Sequence, residues 1–417
     1  MIYLYIYMGE LKQALGFFDI YMMAMGNVMG AGIFVLLSET IKYSKKFTWL
    51  AFLIAGVLAL MSGFSYIEFS NIFKSNAGES EYIGSAFGEL SGIITTGILL
   101  ILNGLNVSSV AFGLGKYIEQ FYHIPYIITS AISIIVFGLI NIVGVEMSSF
   151  LNIICTFIEY FGLAAIFVPG MLSKNLDLNF KWKDMVPLQS LSMASLISIF
   201  SYIGFETTIR ITEEAKNPDR DIPLALIACV ITSVIIYILT SLTVTNLKGM
   251  RNAISNSTPL DNVAALLYSK KYVKLFNFVA FIGVINTILV TLLANSRMLY
   301  SISEKIPKTS FLRYVNKDTQ TPIYSIIAVT IFSLFLLLIN NLEKLAGATC
   351  CVFFIVLAMV NLSLIKLYID GNHKEKLKET FIGKFNNGIP ITPTLGFASC
   401  VGLLGYCLCC VPNFLNN

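Results

Sequence analysis

Two carboxylates, Glu159 and Glu206, stand inside long apolar runs. A charged group at that depth in a bilayer costs about 2.5–3.5 kcal/mol or more, so it is functional by default. Glu206 belongs to the stretch from Phe200 to Pro223, FSYIGFETTIRITEEAKNPDRDIP, which starts in an apolar span, is interrupted at Gly204 and leaves through a dense charged loop. A second interrupted segment, GNVMGAGIF, runs from Gly26 to Phe34. Two Gly-interrupted spans in corresponding positions of two halves point to the substrate site of a transporter. A helix broken near Gly30–Ile33 exposes backbone N–H groups at the start of its second half. With the positive helix end, these hold a carboxylate without a charged side chain. Carbonyls freed at Val28–Met29 and Phe200–Tyr202 suit an ammonium. Close packing of helices through Gly26 and Gly30 explains the same glycines by a plainer route.

The elements that must carry these groups are membrane helices. The chain has 417 residues, a mean hydropathy of +0.77 and 12% charged residues, against about 25% in soluble domains. Apolar runs repeatedly reach the roughly 20 residues that span a bilayer. Eleven spans are read, near 17–37, 48–72, 88–119, 125–143, 150–172, 191–212, 223–246, 273–299, 321–339, 345–368 and 391–411. Helices are expected throughout, because the alternation of a barrel strand is absent. No cleavable signal pattern is read at the N-terminus.

With the N-terminus taken as inside, Lys and Arg divide almost evenly between the two sides, and the slight inward excess has the expected sign but is too weak to set the topology. Asn256-Ser-Thr258 is a sequon in a loop expected outside. The eight cysteines lie in or beside spans, which suits small apolar packers rather than disulfides or a metal site. Acylation at Cys409 and Cys410 is a minor alternative. His123 and His373 have no triad or ligand partner at useful spacing. No phosphate loop, HExxH or G-x-S-x-G is present, so the sequence offers no support for an enzyme, a cofactor or a nucleic-acid partner.

The loops are short, and one membrane domain over 1–417 accounts for them. The spans divide into two repeats of five, about 17–172 and 191–368, plus an additional helix at 391–411. An odd number per half makes the repeat inverted in the membrane. The segment Asp370–Glu379 reads as a solvated helix face.

Ordered motifs along residues 11–370 resemble those of the amino acid–polyamine–organocation permeases, closest to the cationic amino acid transporter branch and its bacterial relatives. They are Leu15-Gly-Phe-Phe-Asp19, Gly30-Ala-Gly-Ile-Phe34, Ser65-Tyr-Ile-Glu-Phe69, Tyr82-Ile-Gly-Ser-Ala-Phe-Gly-Glu-Leu90, the Phe200–Pro223 stretch, Ser296-Arg-Met-Leu-Tyr300, Ile306-Pro-Lys308 and Thr321-Pro322. The resemblance implies a LeuT-like fold: an all-α polytopic protein with a five-plus-five inverted repeat and discontinuous first and sixth helices. It implies secondary transport of amino acids by alternating access.

On that reading the amino acid is held by Val28, Met29, Gly30, Ala31, Gly32 and Ile33 with Phe200, Ser201, Tyr202, Ile203 and Gly204. Phe200 and Tyr202 are candidate lids. Glu159 stands where many members carry Lys, and Asn103 where bacterial relatives carry Glu. Glu159 is therefore expected to bind a coupling proton or to help hold a cation, the plain alternative being a neutral carboxyl facing Asn103. Sodium is less expected than a proton. Glu206 is expected to orient the unwound segment. Glu206, Glu213, Glu214 and Arg297, with Glu68, Arg210 and Arg220 nearby, are candidates for a gate of ion pairs. Snorkelling at the interface is the alternative for Arg297 and Arg220.

The link Lys74-Ser-Asn-Ala-Gly-Glu-Ser-Glu-Tyr82 departs from the family pattern at Lys74, Ala77 and Ser80, and Val35-Leu-Leu-Ser38 lacks the usual Pro-Gly. One helix beyond the repeat, where more are common, favours a monomer. The expectation is a multi-pass amino acid permease in the plasma membrane or another cellular membrane. A sensor of the same fold, without net transport, remains the alternative.

Overall fold

The computed structural model describes residues 11–122, 124–181, 183, 185–248, 259–339, 341–371, 375–376, 384 and 389–410. The sequon at Asn256, both histidines and most of Asp370–Glu379 lie outside the described residues, as do the side chains of Cys409 and Cys410. Among the described residues the chain is helical and has no strand.

The first half comprises α1 (Phe17–Val35), α2 (Leu37–Ser44), α3 (Thr48–Ile72), α4 (Glu79–Phe87), α5 (Glu89–Tyr122), α6 (Tyr126–Val143) and α7 (Val145–Leu172). There follow α8 (Leu188–Ile199), two 3-10 segments at Phe200–Tyr202 and Phe205–Glu214, α9 (Pro218–Asn246), α10 (Pro259–Leu267) and α11 (Val273–Ile302). The chain continues through α12 (Ile323–Leu336), α13 (Leu342–Asp370) and α14 (Ile391–Cys410). Among the described residues nine helical stretches are long and apolar enough to cross a bilayer, and Ile323–Ile339 and Ile391–Tyr406 are shorter apolar helices. These eleven correspond one for one to the spans read from hydropathy.

The differences lie at the ends. The fifth span starts at Val145 rather than near 150, because Gly144 takes φ 148° and turns the chain directly from α6 into α7. Such a φ favours glycine. The seventh starts at Pro218 rather than 223. Pro218 occupies the first helical position and Asp219 and Asp221 the first turn, where a missing N–H costs nothing and acidic groups meet the positive helix end. The short helices α2, α4 and α10 sit in links that hydropathy treats as loops.

Burial separates the centre from the rim. The apolar stretches of α1, α5 and the sixth span are 71–72% buried, those of α6 and α7 only 33%. On α7, Phe150, Ile154, Phe157 and Phe161 face outward, as a lipid-facing stripe should. Ser149, Asn152, Thr156 and Glu159 are buried on the opposite side, so the polar face of this helix points into the bundle. α1 packs against α7, α9 and α11. The strand-like segment at Leu15 ties the start of α1 to the end of the sixth span, with Leu15 N–H to Glu214 O at 3.0 Å and Lys216 N–H to Leu15 O at 2.8 Å.

Candidate functional site

The sixth span is broken where the sequence places the interruption. α8 ends at Ile199, a 3-10 turn covers Phe200–Tyr202, Ile203 is extended, and Gly204 takes φ 122° before a second 3-10 segment begins. Glu206 closes on this break: its Oε2 accepts the N–H of Gly204 at 2.8 Å. A carboxylate at the start of a helical segment is favourably placed against its positive end. Asn27 of α1 reaches the same turn, its Nδ2 donating to Thr207 Oγ1 at 3.0 Å, while its Oδ1 accepts from Thr291 Oγ1 of α11 at 2.8 Å.

α1, by contrast, is not discontinuous. It runs as one α-helix from Phe17 to Val35 through Gly30 and Gly32, so the expected break near Gly30–Ile33 is corrected. The glycines serve approach instead. A Cβ on Gly32 would collide with Ser201, and one on Gly30 with Gly283 and Thr287 of α11. Two further glycine-dependent contacts, Gly26 against α7 and α11 and Gly204 against Asn27, bind the same core. Val28, Met29 and Ile33 are buried; the side chain of Ala31 lies outside the described residues.

Between α1 and the broken span lies a residue that motif reading did not single out. The Tyr237 hydroxyl of α9 reaches Val28 O at 2.9 Å and Ser201 O at 2.8 Å. These carbonyls belong to the two segments expected to take an ammonium, and one hydrogen-bond donor spans them. Phe200, Ser201, Tyr202, Ile203 and Gly204 all lie on this break. Phe200 is 5% exposed, and the Ser201 hydroxyl is buried without a hydrogen-bond partner. Tyr202 is turned away from α1, its hydroxyl donating to Phe52 O of α3 at 2.9 Å, which makes it a fixed wall rather than a lid in this conformation.

Glu159 is fully buried and bonds to α11, not to α5. Its Oε1 accepts from Asn286 Nδ2 at 2.8 Å, and its Oε2 has no hydrogen-bond partner. Asn286 Nδ2 also reaches Thr156 Oγ1 at 3.1 Å, and Asn286 Oδ1 accepts from Asn152 Nδ2 at 2.9 Å. Gly26 leaves room for this group, since a Cβ there would strike both amides and the Thr156 hydroxyl. The plain alternative, a carboxyl hydrogen-bonded to Asn103, is corrected: the Asn103 amide donates to Leu99 O within its own helix at 2.8 Å.

At the end of the bundle where α1 starts, ion pairs close the core. Arg210 Nη2 lies 2.9 Å from Glu79 Oε1, and Arg297 Nε 3.2 Å from Glu214 Oε2, with all four side chains fully buried. Tyr66 donates to Glu79 at 3.2 Å, and Arg210 also reaches Asn295 Oδ1 at 3.3 Å. Glu213 accepts the N–H of Asn76 at 2.8 Å and the Ser301 hydroxyl at 3.1 Å. Arg297 is thus a core residue and not a snorkelling one, while Arg220 is exposed. Glu68 is buried nearby on α3. Removing one partner of such a pair leaves an uncompensated buried charge, at a cost of about 3–5 kcal/mol.

Sequence reasoning missed Tyr237, Asn286 and Glu79 as members of these clusters. Glu79 was legible as an acidic residue in the link that resembles the family motif. Tyr237 and Asn286 carry no such signal, because a tyrosine or an asparagine in an apolar helix is common and only the packing shows what it faces.

A multi-pass, all-helical bundle with a broken sixth span against α1 and buried ion pairs at one end defines a polytopic membrane protein of the transporter class. The amino acid permease family model matches residues 15–417, and the chain belongs to that family. The family is one of membrane transport proteins, not enzymes. The chain is 23% identical to cationic amino acid transporter 1 of Arabidopsis thaliana over 96% of its length and 71% of the relative's. It is 22% identical to the branched-chain amino acid permease BcaP of Bacillus subtilis over 95% of its length and 88% of the relative's. It is 25% identical to the human cystine/glutamate transporter, over 84% and 73% respectively.

Proposed function

We propose that the chain is a secondary transporter that carries amino acids across a membrane by alternating access, with a proton taken up at Glu159. The observation that carries this reading is the convergence of Val28 O and Ser201 O on the single hydroxyl of Tyr237. The ammonium of an amino acid supplies N–H donors of the same kind and takes those carbonyls in place of the phenol. Its carboxylate takes the N–H groups of Gly30, Gly32 and Ile33 once α1 opens at its glycines, a step that resembles the half-helix sites of transporters with internal repeats. Non-helical backbone at this depth is tolerated because it lines a cavity. The ordering of spans supports two inverted halves, 17–172 and 191–368, with α14 outside them.

Relatives named for cationic, branched-chain and cystine or glutamate substrates support an amino acid as cargo. The unpartnered Oε2 of buried Glu159 supports a proton at that position. Uptake of a panel of radiolabelled amino acids into proteoliposomes, with and without an inward proton gradient, tests the reading. Gradient-stimulated uptake is expected. Gradient-independent uptake removes the proton. Thermal stabilisation by an amino acid without any uptake replaces transport by sensing.

A further inference from the structure

α11 presents Gly283, Thr287 and Thr291 to α1 at successive turns, and all three are buried. Residues four apart share one face of a helix. Gly283 meets Gly30: a Cβ on Gly30 would fall 2.1 Å from both Gly283 O and Thr287 Oγ1. Thr291 donates to Asn27 Oδ1 at 2.8 Å, and the Asn27 amide donates in turn to Thr207, so this side chain is held at both ends. Thr287 lies between these contacts and touches the backbone of α1 itself. Its hydroxyl is 3.5 Å from Gly26 O, 3.3 Å from Asn27 O and 3.3 Å from Gly283 O of its own helix. One proton is shared among three long contacts. Thr349 and Thr330, by contrast, each donate to the carbonyl one turn back in their own helix at 2.7 Å.

The carbonyls that Thr287 faces are the ones released if α1 opens. In a continuous α-helix the N–H groups of Gly30, Ala31 and Gly32 bond to Gly26 O, Asn27 O and Val28 O. A carboxylate that takes the N–H groups of this turn strips those carbonyls of their donors. Val28 O has a donor from outside the helix in Tyr237. Gly26 O and Asn27 O have theirs in Thr287.

We infer that Thr287 is a positioning residue for substrate binding: its hydroxyl, bifurcated between Gly26 O and Asn27 O, supplies the donor that these carbonyls lose when α1 opens at its glycines. The pinned Asn27 side chain is the fixed point from which the turn opens. The inference rests on the amino acid transport proposed above. With α1 closed, both carbonyls are satisfied within the helix, and Thr287 adds only a long shared contact. With α1 open, the same carbonyls are buried without a helical donor, which is costly unless another group reaches them. A change that acts on one of two states shifts the equilibrium between them.

The test compares wild type, Thr287→Val, Thr287→Ala and Thr287→Ser. Two quantities are read: the thermal midpoint in detergent with and without L-arginine, L-leucine or L-glutamate, and the KM for uptake of the same three into proteoliposomes. Thr287→Val removes the hydroxyl at nearly constant shape. It should leave the substrate-free midpoint close to wild type, diminish the stabilisation by the amino acid and raise KM on the order of tenfold. Thr287→Ser should restore both, and Thr287→Ala should repeat the loss if Thr287→Val does not fold. Wild-type KM in Thr287→Val or Thr287→Ala, beside active wild type, overturns the inference and leaves transport standing. A substrate-free midpoint that falls in step with the rise in KM, without rescue by serine, marks a packing residue and also overturns it, as does failure of both variants to fold. Wild type that neither takes up nor is stabilised by any of the three amino acids overturns the transport reading and the inference together.

Discussion

Arg210 and Glu79, 131 residues apart in sequence, meet with Nη2 2.9 Å from Oε1, and neither side chain has any contact with solvent. The pair joins the first residue of α4 to the second half of the broken sixth span. A bundle that must open at this end has to part or carry these two groups together.

Breaking the pair from one side is the costly change. Arg210→Met should destabilise the protein by about 3–5 kcal/mol, seen as a lower midpoint in thermal unfolding in detergent. Glu79→Gln combined with Arg210→Met should cost less than the sum of the two single changes, because neither leaves the other charge alone. Additive losses would show that the two groups are not coupled.

Tyr237→Phe removes the donor shared by Val28 O and Ser201 O. Losing a buried hydrogen bond costs about 0.5–1.5 kcal/mol, so the substrate-free protein should melt earlier. A saturating amino acid substrate should recover part of that loss, since its ammonium takes the same carbonyls. Equal losses with and without substrate would place the ammonium elsewhere.

Gly204→Ala puts a Cβ at φ 122° and against the Asn27 side chain, at a strain cost of about 1–3 kcal/mol. Gly32→Ala acts differently. Its backbone is helical, so the whole effect is the collision with Ser201. It should hold α1 away from the break and abolish uptake while the protein still reaches the membrane, which surface labelling beside the uptake assay would establish.

Glu159→Gln retains an oxygen for the Asn286 amide and loses the proton site. Uptake should become insensitive to an imposed proton gradient, with little change in thermal stability. A gradient response equal to that of wild type would exclude Glu159 as the coupling group.

Outside the membrane spans, Asp177 accepts the N–H of Asn179 at 3.2 Å and pairs with Lys46 at 3.3 Å. These contacts lower its carboxyl from the ordinary aspartate value. A pKa depressed in the folded state gives a contribution present above the unfolded value, about 3.9, and lost as pH falls. The loop after α7 should therefore lose hydrogen-exchange protection on acidification through that range, and Asp177→Asn should remove the pH dependence.

The sequence alone determined the eleven spans, the break at Gly204 and the acidic positions, because each depends on local properties: the length of an apolar run, a glycine at depth, a charge without water. It also carried the family resemblance. The partners of those groups were decided only by tertiary packing. Glu159 faces Asn286 rather than Asn103, Arg297 is a core residue, and α1 stays continuous while the sixth span breaks. Gly30 and Gly32 are compatible either with a break or with a close helix contact, and only the positions of Gly283 and Ser201 against them decide. A hydrogen bond in a bundle is fixed by the rotation of two helices about their axes, and hydropathy, summed over all faces of a span, contains no record of that rotation.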